Sequence, residues 1–259
     1  MNKAVLSKEL INIFVSIAQL YKHEYTRRVI MANVERYAFE YSLVYRCGGV
    51  LVDVGAGNGA LALACKVTGM EHVTVIEDFG DPWHDDAVKT DIVSVLRSSG
   101  VHVILRNALT LDLPFPDNSV DCVSSIDCLE HWPHSPAHLF SEIKRVLKPG
   151  GRFVLGAPNA VSVIKRMRVL IGKTNYPPWK DFYEQVRWRG HVREPTLGEL
   201  FEIMGTLGLE VVYTVGRNWM ALRKGYRGLT LKVVRMAIPL LNLFPTLCSD
   251  LYVVGRKPI

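Results

Sequence analysis

The sequence predicts a doubly wound α/β fold built on a mostly parallel sheet. An apolar run from Val50 to Val54 leads into a glycine-rich segment at 55–59, and a helix-like segment follows at 61–66. Strand-like and helix-like segments then alternate, which is typical of a parallel sheet with helices on both faces. The predicted elements are strand 72–77, helix 85–98, strand 101–105, strand 120–126, helix 136–147 and strand 151–157.

The segments around this core complete the architecture, which we expect to be a single domain over residues 1–259. Apolar residues at helical spacing, such as Leu10, Ile13 and Ile17, predict helices near the N-terminus. The expected parts are an N-terminal helical cap at 1–46, a cofactor-binding core at 47–157, a basic insertion at 158–195, and a C-terminal part at 196–259 with an apolar helical insertion at 218–248.

The composition is that of a globular protein with a basic balance. The net charge is +6, and the segment from Asn159 to Arg193 carries eight Lys and Arg residues against two acidic ones, an excess equal to that of the whole chain. The five cysteines form no C-x-x-C pair, and we read no secretory leader and no apolar run of membrane-spanning length. We therefore expect reduced thiols and a cytoplasmic protein.

The glycine loop, residues 55–59, predicts a site for a nucleotide-like cofactor. Glycines allow a sharp turn and close approach of a ligand, and the helix behind them offers free N–H groups. One alternative is a dinucleotide, because the glycine spacing fits its fingerprint and Glu77 lies about 20 residues on; the chain would then be an NAD(P)-dependent oxidoreductase. Asp53 argues against this, since a carboxylate repels a pyrophosphate and attracts a cationic amino group or sulfonium.

The stretch Val52-Asp53-Val54-Gly55-Ala56-Gly57-Asn58-Gly59 resembles motif I of the class I S-adenosylmethionine (SAM) dependent methyltransferases. Further stretches extend the resemblance in the expected order. They are 73–78, 107–121, 125–131 and 142–151, the last two resembling the small-molecule branch that includes quinone-biosynthesis methyltransferases. The resemblance implies SAM as cofactor, S-adenosylhomocysteine as product, and a Rossmann-like methyltransferase fold with a seven-stranded sheet.

The same resemblance implies which residues contact the cofactor. Asp53 and the glycine loop would hold its amino-acid end, and Glu77 would accept both ribose hydroxyls. At the adenine-binding turn the family usually has Asp where this chain has Asn107, whose carbonyl oxygen can still reach the adenine amino group. The implied cofactor-binding residues are Asp53, Gly55, Ala56, Gly57, Gly59, Glu77, Asp78, Asn107, Ala108 and Asp127.

Two histidines are candidate catalytic bases for a hydroxyl acceptor. His131 follows the fourth strand and by topology would lie near the transferred methyl group, and His191 ends the basic insertion. Each can instead be a structural histidine. We expect no metal site, because two prolines interrupt the histidine-rich loop 131–138 and no cysteine or carboxylate is placed to complete a ligand set. Glu130 is expected to orient the loop.

The two insertions bear on the acceptor. In the basic insertion at 158–195, aromatic residues are interspersed with basic ones. This composition is suited to binding a sugar, a phosphorylated lipid or nucleic acid. Nucleobase N-methyltransferases of the same superfamily carry an Asp/Asn-Pro-Pro-aromatic motif after the fourth strand. Residues 127–130 of this chain lack that motif, so methylation of a nucleobase amino group is disfavoured. The apolar stretch 223–244 can be buried, shared with a second copy in a homodimer, or laid on a membrane surface with its basic edge at the headgroups.

These features lead to one functional hypothesis and three alternatives. The hypothesis is methylation of a hydroxyl on a small-molecule acceptor, such as a lipid-linked or phosphorylated saccharide, by an enzyme in the cytoplasm or at the inner face of the membrane. The first alternative is C-methylation of a lipid quinone, which the central motifs fit equally well. The others are an NAD(P)-dependent oxidoreductase and a non-catalytic SAM-binding protein.

Overall fold

A computed structural model gives the fold and describes residues 8–47, 49–80, 85–110, 112–185, 188, 190–219 and 238–259. Seven strands form one sheet in the order β3-β2-β1-β4-β5-β7-β6. Their bounds are β1 Val50–Val54, β2 His72–Glu77, β3 His102–Leu105, β4 Val120–Ile126, β5 Leu147–Pro158, β6 Glu210–Arg217 and β7 Asp250–Arg256. β1 is parallel to β2 and β4, and β2 is parallel to β3, whereas β6 and β7 form an antiparallel hairpin. The predicted doubly wound, mostly parallel seven-stranded sheet is confirmed.

Helices precede the sheet and connect its strands. The described α-helices are α1 Lys8–Leu20, α2 Glu24–Met31, α3 Val34–Val44, α4 Ala60–Val67, α5 Asp86–Ser98, α6 Ala137–Val146, α7 Val163–Leu170, α8 Trp179–Glu184 and α9 Leu197–Thr206. The first three form the N-terminal helical part that the apolar spacing predicts.

The chain divides into two compact units. The first comprises the described residues up to Ser125, together with Pro136–Val154 and Ile259. The second comprises Ile126–Ser135 and the described residues from Leu155 to Pro258. The segments predicted as core and insertions do not coincide with these units, since the chain passes from one to the other within β4 and β5.

In the first unit, β1 and α4 are buried almost completely. β1 reads as a near-continuous apolar run because both faces of a parallel strand are covered, and Leu51, Val52 and Val54 have no exposed surface. Every residue of α4 from Ala60 to Cys65 is buried, three of them alanines. Small side chains let this helix lie close to its neighbours, so the glycine loop between β1 and α4 is held at both ends.

In the second unit, polar contacts join segments far apart in sequence. The Asn159 side chain donates to the carbonyls of Thr246 and Cys248, at 3.0 and 2.8 Å, which ties the end of β5 to the chain before β7. α9 begins with a capping box, in which Thr196 and Glu199 each bond the other's backbone N–H. These bonds satisfy the donors that a helix start leaves without a partner.

The structure corrects one predicted element and leaves another untested. α6 ends at Val146, one residue before its predicted end, but the strand predicted at 151–157 starts earlier, since β5 begins at Leu147 and includes Gly150 at φ +79°. Residues 220–237, which make up most of the predicted apolar helical insertion at 218–248, lie outside the described residues. Among the described residues, no helix has the length and apolar character that crossing a membrane requires.

Candidate functional site

The glycine loop of the first unit has the backbone that its sequence predicts. Gly55, Gly57 and Gly59 all have positive φ, at 69°, 55° and 71°. An L-residue in this conformation costs about 1–2 kcal/mol, because its Cβ crowds the carbonyl oxygen. The loop therefore needs glycine at alternate positions, and it ends directly at the first N–H groups of α4.

Two of these glycines serve different purposes. A Cβ added at Gly59 would lie 2.7 Å from Leu96 Cδ2, so this glycine allows α5 to pack against the loop. A Cβ added at Gly57 would meet no atom of the described residues within 4 Å. The space in front of Gly57 is therefore open to a ligand.

Glu77, at the end of β2, binds the glycine loop directly. Its Oε2 accepts a hydrogen bond from Gly57 N at 2.8 Å, and its Oε1 accepts from the backbone of Asp78 and Phe79 at 2.9 and 3.0 Å. A carboxylate can do this because it accepts several bonds and donates none. The residue predicted to bind the ribose thus also sets the position of the loop.

Asp78 and the predicted adenine-binding turn come together. Asn107 Nδ2 donates to Asp78 Oδ2 at 3.0 Å, and Asn107 Oδ1 accepts from Leu109 N at 2.9 Å. Ala108 begins the short 3-10 turn that follows. The side-chain carbonyl expected to face the adenine therefore also caps this turn.

Asp53 is buried in the sheet at the end of β1. Only 3% of its surface is exposed, and Ser124 Oγ donates to its Oδ1 at 2.7 Å. Burial raises the pKa of the Asp53 carboxyl to about 7, against the lowering effect of the Ser124 hydrogen bond. The carboxyl therefore titrates near neutral pH.

Two tyrosines from the N-terminal helical part contact the loop, which sequence analysis missed. Tyr21 donates its hydroxyl hydrogen to Asn58 O at 2.7 Å, and Asn58 Nδ2 donates to the Tyr37 hydroxyl at 2.8 Å. Tyr21 is buried beside the loop. The spacing of apolar residues predicted the helices but carried no signal for these bonds, because the partners lie 37 and 21 positions apart.

Asp127, the remaining predicted cofactor residue, belongs to the second unit. It has φ +53°, and its N–H donates to Gly156 O at 2.9 Å. A non-glycine residue at positive φ is uncommon, although Asp tolerates it better than most. A 3-10 turn, Leu129–His131, follows it.

The second unit brings the two predicted bases together. The rings of His131 and His191 are perpendicular, with centroids 4.9 Å apart. Glu130 is 1% exposed, and its Oε1 lies 4.0 Å from His191 Nε2. We call Glu130, His131 and His191 the histidine cluster; one nitrogen or oxygen from each lies within 4.8 Å of the others. The expectation that no carboxylate is placed beside these histidines is wrong, because His191 reaches Glu130 from 61 positions along the chain.

His191 is oriented by an ion-pair chain. Its Nδ1 lies 2.7 Å from Glu194 Oε1, and Glu194 Oε2 pairs with Lys165, which also donates to Asn159 O at 2.9 Å. Burial alone would raise the pKa of Glu194, but the bonds from His191 and Lys165 outweigh it and hold that pKa below its ordinary value. Glu194 is thus a carboxylate that accepts a hydrogen bond from the Nδ1–H of His191.

An aromatic cavity of about 490 Å³ adjoins His191 in the same unit. It is lined by Tyr176, Pro177, Trp179, Phe182, Trp188, His191 and Val192, with Thr174. A second cavity of about 350 Å³ shares His191 and adds polar groups from Asn175, Arg193 and Glu194. Cavities of this size, mostly apolar with a few polar groups, are typical of small-molecule sites.

Comparison with known proteins identifies the family. Residues 52–155 match the methyltransferase domain family. This segment of the chain belongs to the class I SAM-dependent methyltransferases. SAM is the cofactor of this family, and its members are enzymes. The match covers the glycine loop, Glu77, Asn107 and the Glu130–His131 turn, and it ends before the basic insertion.

Curated relatives agree with the family, and two of their names indicate different methylated atoms. A probable SAM-dependent methyltransferase of Mycolicibacterium smegmatis is 30% identical over 67% of this chain and 57% of its own. The 27-O-demethylrifamycin SV methyltransferase of Amycolatopsis mediterranei is 34% identical over 44% of this chain and 40% of its own. The ubiquinone/menaquinone biosynthesis C-methyltransferase of Burkholderia mallei is 28% identical over 58% of this chain and 60% of its own. The chain thus matches only about half the length of these relatives.

A solved structure shows the same fold. The SAM-dependent methyltransferase from Thermotoga maritima superposes with a TM-score of 0.53 at 20% identity, covering 96% of this methyltransferase chain and 99% of its own. At this identity the likeness concerns the fold alone.

Substitution of the two glycines is expected to separate ligand contact from packing. Gly57→Ala adds a methyl group into open space at a positive φ and should cost about 1–2 kcal/mol of stability, yet weaken binding of S-adenosylhomocysteine at least about tenfold because the ligand occupies that space. Gly59→Ala meets Leu96 and should destabilise the fold by about 3 kcal/mol. Calorimetric titration and thermal unfolding measure both effects, with NADH as control ligand. Unchanged affinity in Gly57→Ala would contradict the assignment.

The buried carboxyl predicts a pH dependence of cofactor binding. Below its pKa of about 7, Asp53 is protonated and does not attract the cationic amino end of the cofactor. The affinity for S-adenosylhomocysteine should therefore rise with pH up to about 7, by at most about tenfold per unit, and level off above it. Asp53→Asn should remove the dependence, as measured by calorimetry at several pH values.

The raised pKa of Asp53 also predicts how the free energy of unfolding changes with pH. The folded pKa of about 7 exceeds the ordinary 3.8, so between these values the folded ligand-free protein binds a proton that the unfolded chain has released. The stability of the wild type relative to Asp53→Asn should fall as pH rises through this window. A constant difference in free energy of unfolding would rule out the raised pKa.

Proposed function

We propose that this protein methylates a hydroxyl group of an amphipathic small molecule, such as a lipid-linked or phosphorylated saccharide. The observation that carries the proposal is the aromatic cavity beside His191, whose imidazole is oriented by Glu194. SAM supplies the methyl group, already attached to a sulfonium leaving group. The protein therefore has to bind the cofactor, bind the acceptor and activate its hydroxyl.

The first unit supplies the residues for cofactor binding. The open space at Gly57 gives a ligand room against the loop backbone, and Glu77 and Asp78 place carboxylates at the end of β2. Asn107 and Ala108 form the turn assigned to the adenine. Acidic groups at these positions suit a cofactor with a cationic amino end and free ribose hydroxyls better than a pyrophosphate. This favours SAM over NAD(P).

The second unit supplies the features that suit the acceptor. Aromatic side chains offer flat apolar faces, on which a sugar ring or an isoprenoid can lie. Several of them are largely exposed, including Trp179 at 73% and Tyr176 at 76%. The basic residues of 158–195 add a positive field that would attract a phosphate. The combination fits an acceptor with an apolar part and an anionic part.

Activation of the hydroxyl is assigned to the histidine cluster. The acceptor oxygen forms a bond to the methyl carbon, the carbon–sulfur bond breaks with its electron pair left on sulfur, and the hydroxyl proton must leave. The Glu194 carboxylate keeps the Nδ1 proton on His191, so that Nε2 presents a lone pair. His131 and His191 remain the candidate bases that would accept the hydroxyl proton.

A second candidate is C-methylation of a lipid quinone-type acceptor. The observation in its favour is the similarity to the Burkholderia mallei C-methyltransferase, together with a cavity that would hold an aromatic ring. An acceptor carbon that is already activated needs less help from a base. This candidate predicts a small effect of removing His191.

Lipid acceptors also suggest where the enzyme acts. We propose a cytoplasmic enzyme that contacts the inner face of the membrane through 223–244, or forms a homodimer there. In the described part of that segment, Leu240, Leu243 and Phe244 are exposed by 54–71%. Exposed apolar side chains of this kind favour contact with lipid or with a second copy.

An acceptor screen with matched variants tests the function. Purified protein is incubated with methyl-labelled SAM and two acceptor sets, polyprenyl-phosphate sugars and sugar phosphates on one side and demethylated quinones on the other. We expect the label on oxygen of a saccharide, as identified by NMR. Phe182→Ala should raise KM for the acceptor at least about tenfold, because Phe182 lines the cavity. Tyr183→Ala is the control, since this neighbour on α8 does not line it.

Methylation on carbon would establish the quinone alternative, and binding of S-adenosylhomocysteine without turnover of either set would favour a non-catalytic role. Equal KM values for Phe182→Ala and Tyr183→Ala would remove the aromatic cavity from the acceptor site.

A further inference from the structure

We propose that Glu130, His131 and His191 bind one divalent transition-metal cation. The site itself is argued from the geometry of the second unit. Its role in the reaction, activation of the acceptor hydroxyl, rests on the proposed function.

The distances within the histidine cluster suit a shared cation. Glu130 Oε1 and His191 Nε2 are 4.0 Å apart, beyond hydrogen-bond range. This is close to twice the metal–ligand distance of about 2.1 Å for imidazole nitrogen and carboxylate oxygen. One atom from each of the three side chains lies within 4.8 Å of the others. A single ion can therefore contact all three with side-chain adjustment alone.

The backbone holds the ligands from two segments together. Glu130 and His131 are consecutive in a 3-10 turn, and the Glu130 carbonyl accepts hydrogen bonds from Val192 N at 2.7 Å and Arg193 N at 3.4 Å. His191 is the residue before this contact. The ligand set is thus fixed by main-chain bonds as well as by side-chain packing.

Glu194 gives His191 the orientation of a metal ligand. Metal-bound histidines usually donate their other ring N–H to a carboxylate, which sets the tautomer and the ring orientation. The Nδ1–Glu194 distance of 2.7 Å matches this arrangement and leaves Nε2 towards Glu130. Lys165 is a nearby cation that would oppose a metal, and its charge is paired with Glu194.

The ligand chemistry narrows the choice of cation. Two imidazoles and one carboxylate suit Mn²⁺, Fe²⁺, Co²⁺, Ni²⁺ or Zn²⁺, whereas Mg²⁺ and Ca²⁺ prefer oxygen ligands throughout. Three protein ligands leave coordination positions open, as in catalytic sites. Because His191 also lines the aromatic cavity, an acceptor hydroxyl bound there could take an open position. The cation would then lower the pKa of the hydroxyl, the proton would pass to water, and the histidines would hold the metal instead of accepting the proton.

Metal binding is measured first, without any acceptor. The full chain is freed of metal with EDTA, dialysed, and titrated with Co²⁺ and Zn²⁺ by calorimetry, with visible absorption as a second readout for Co²⁺. We expect one equivalent to bind. Glu130→Gln and His191→Ala should each weaken binding at least about 100-fold, and Glu194→Gln about 10- to 100-fold through the orientation of His191. His134→Ala is the matched control, an exposed histidine three positions from His131, and should bind as the wild type does.

Every variant is also titrated with S-adenosylhomocysteine, which reports on the folded first unit. Absence of stoichiometric binding of both ions to the wild type would overturn the proposal. So would equal metal affinity in the wild type, Glu130→Gln and His191→Ala, when all three bind S-adenosylhomocysteine normally.

The role of the metal is separated from the proposed function by the acceptor screen. Methylation of a hydroxyl that stops on metal removal and returns with Co²⁺ or Zn²⁺ supports both proposals. Hydroxyl methylation at full rate after metal removal overturns the metal role and keeps the function. Stoichiometric metal binding in a protein that methylates only carbon keeps the site and overturns the proposed function.

Discussion

The bond between Glu77 and Gly57 is the interaction on which the cofactor site depends. It joins the end of β2 to the loop after β1, so two strands and the start of α4 share one fixed backbone. The bond forms only because the loop passes through three positive φ angles that turn Gly57 N towards the carboxylate. A side chain at Gly59 would strike Leu96 and displace the loop. A change in the loop conformation would therefore also disturb the packing of α5 and the position of the ribose-binding acid.

The N-terminal helices add to this constraint from the other side. Tyr21 and Tyr37 bond the backbone and side chain of Asn58, the residue between the last two glycines. Phe14 stacks on Tyr37 with ring centroids 5.7 Å apart, which fixes the tyrosine relative to α1. Through these hydrogen bonds the N-terminal helical part contacts the glycine loop directly. A loop held on two sides is preorganised for its ligand.

The second unit uses a different device, an ion-pair chain. Lys165 holds Glu194, Glu194 holds His191, and His191 lies beside Glu130 and His131. These side chains are partly buried, and pairing offsets the cost of taking their charges out of water. These ion pairs place residues of the basic insertion beside the loop that follows β4. The insertion is therefore part of the candidate chemistry as well as a source of positive charge.

The sequence by itself determined the sheet, the glycine loop and the family, because these depend on local patterns. Alternating apolar segments predicted six elements from 72 to 157, and the acid after β2 was recognised from its motif. The start of β5 was misplaced, since Pro149 and Gly150 are typical of a turn, whereas the strand begins at Leu147. Tertiary structure alone decided that His191 lies beside Glu130 and His131, and that Tyr21 reaches Asn58. These contacts join residues 37 to 61 positions apart, and side-chain chemistry carries no signal of its partner over such distances.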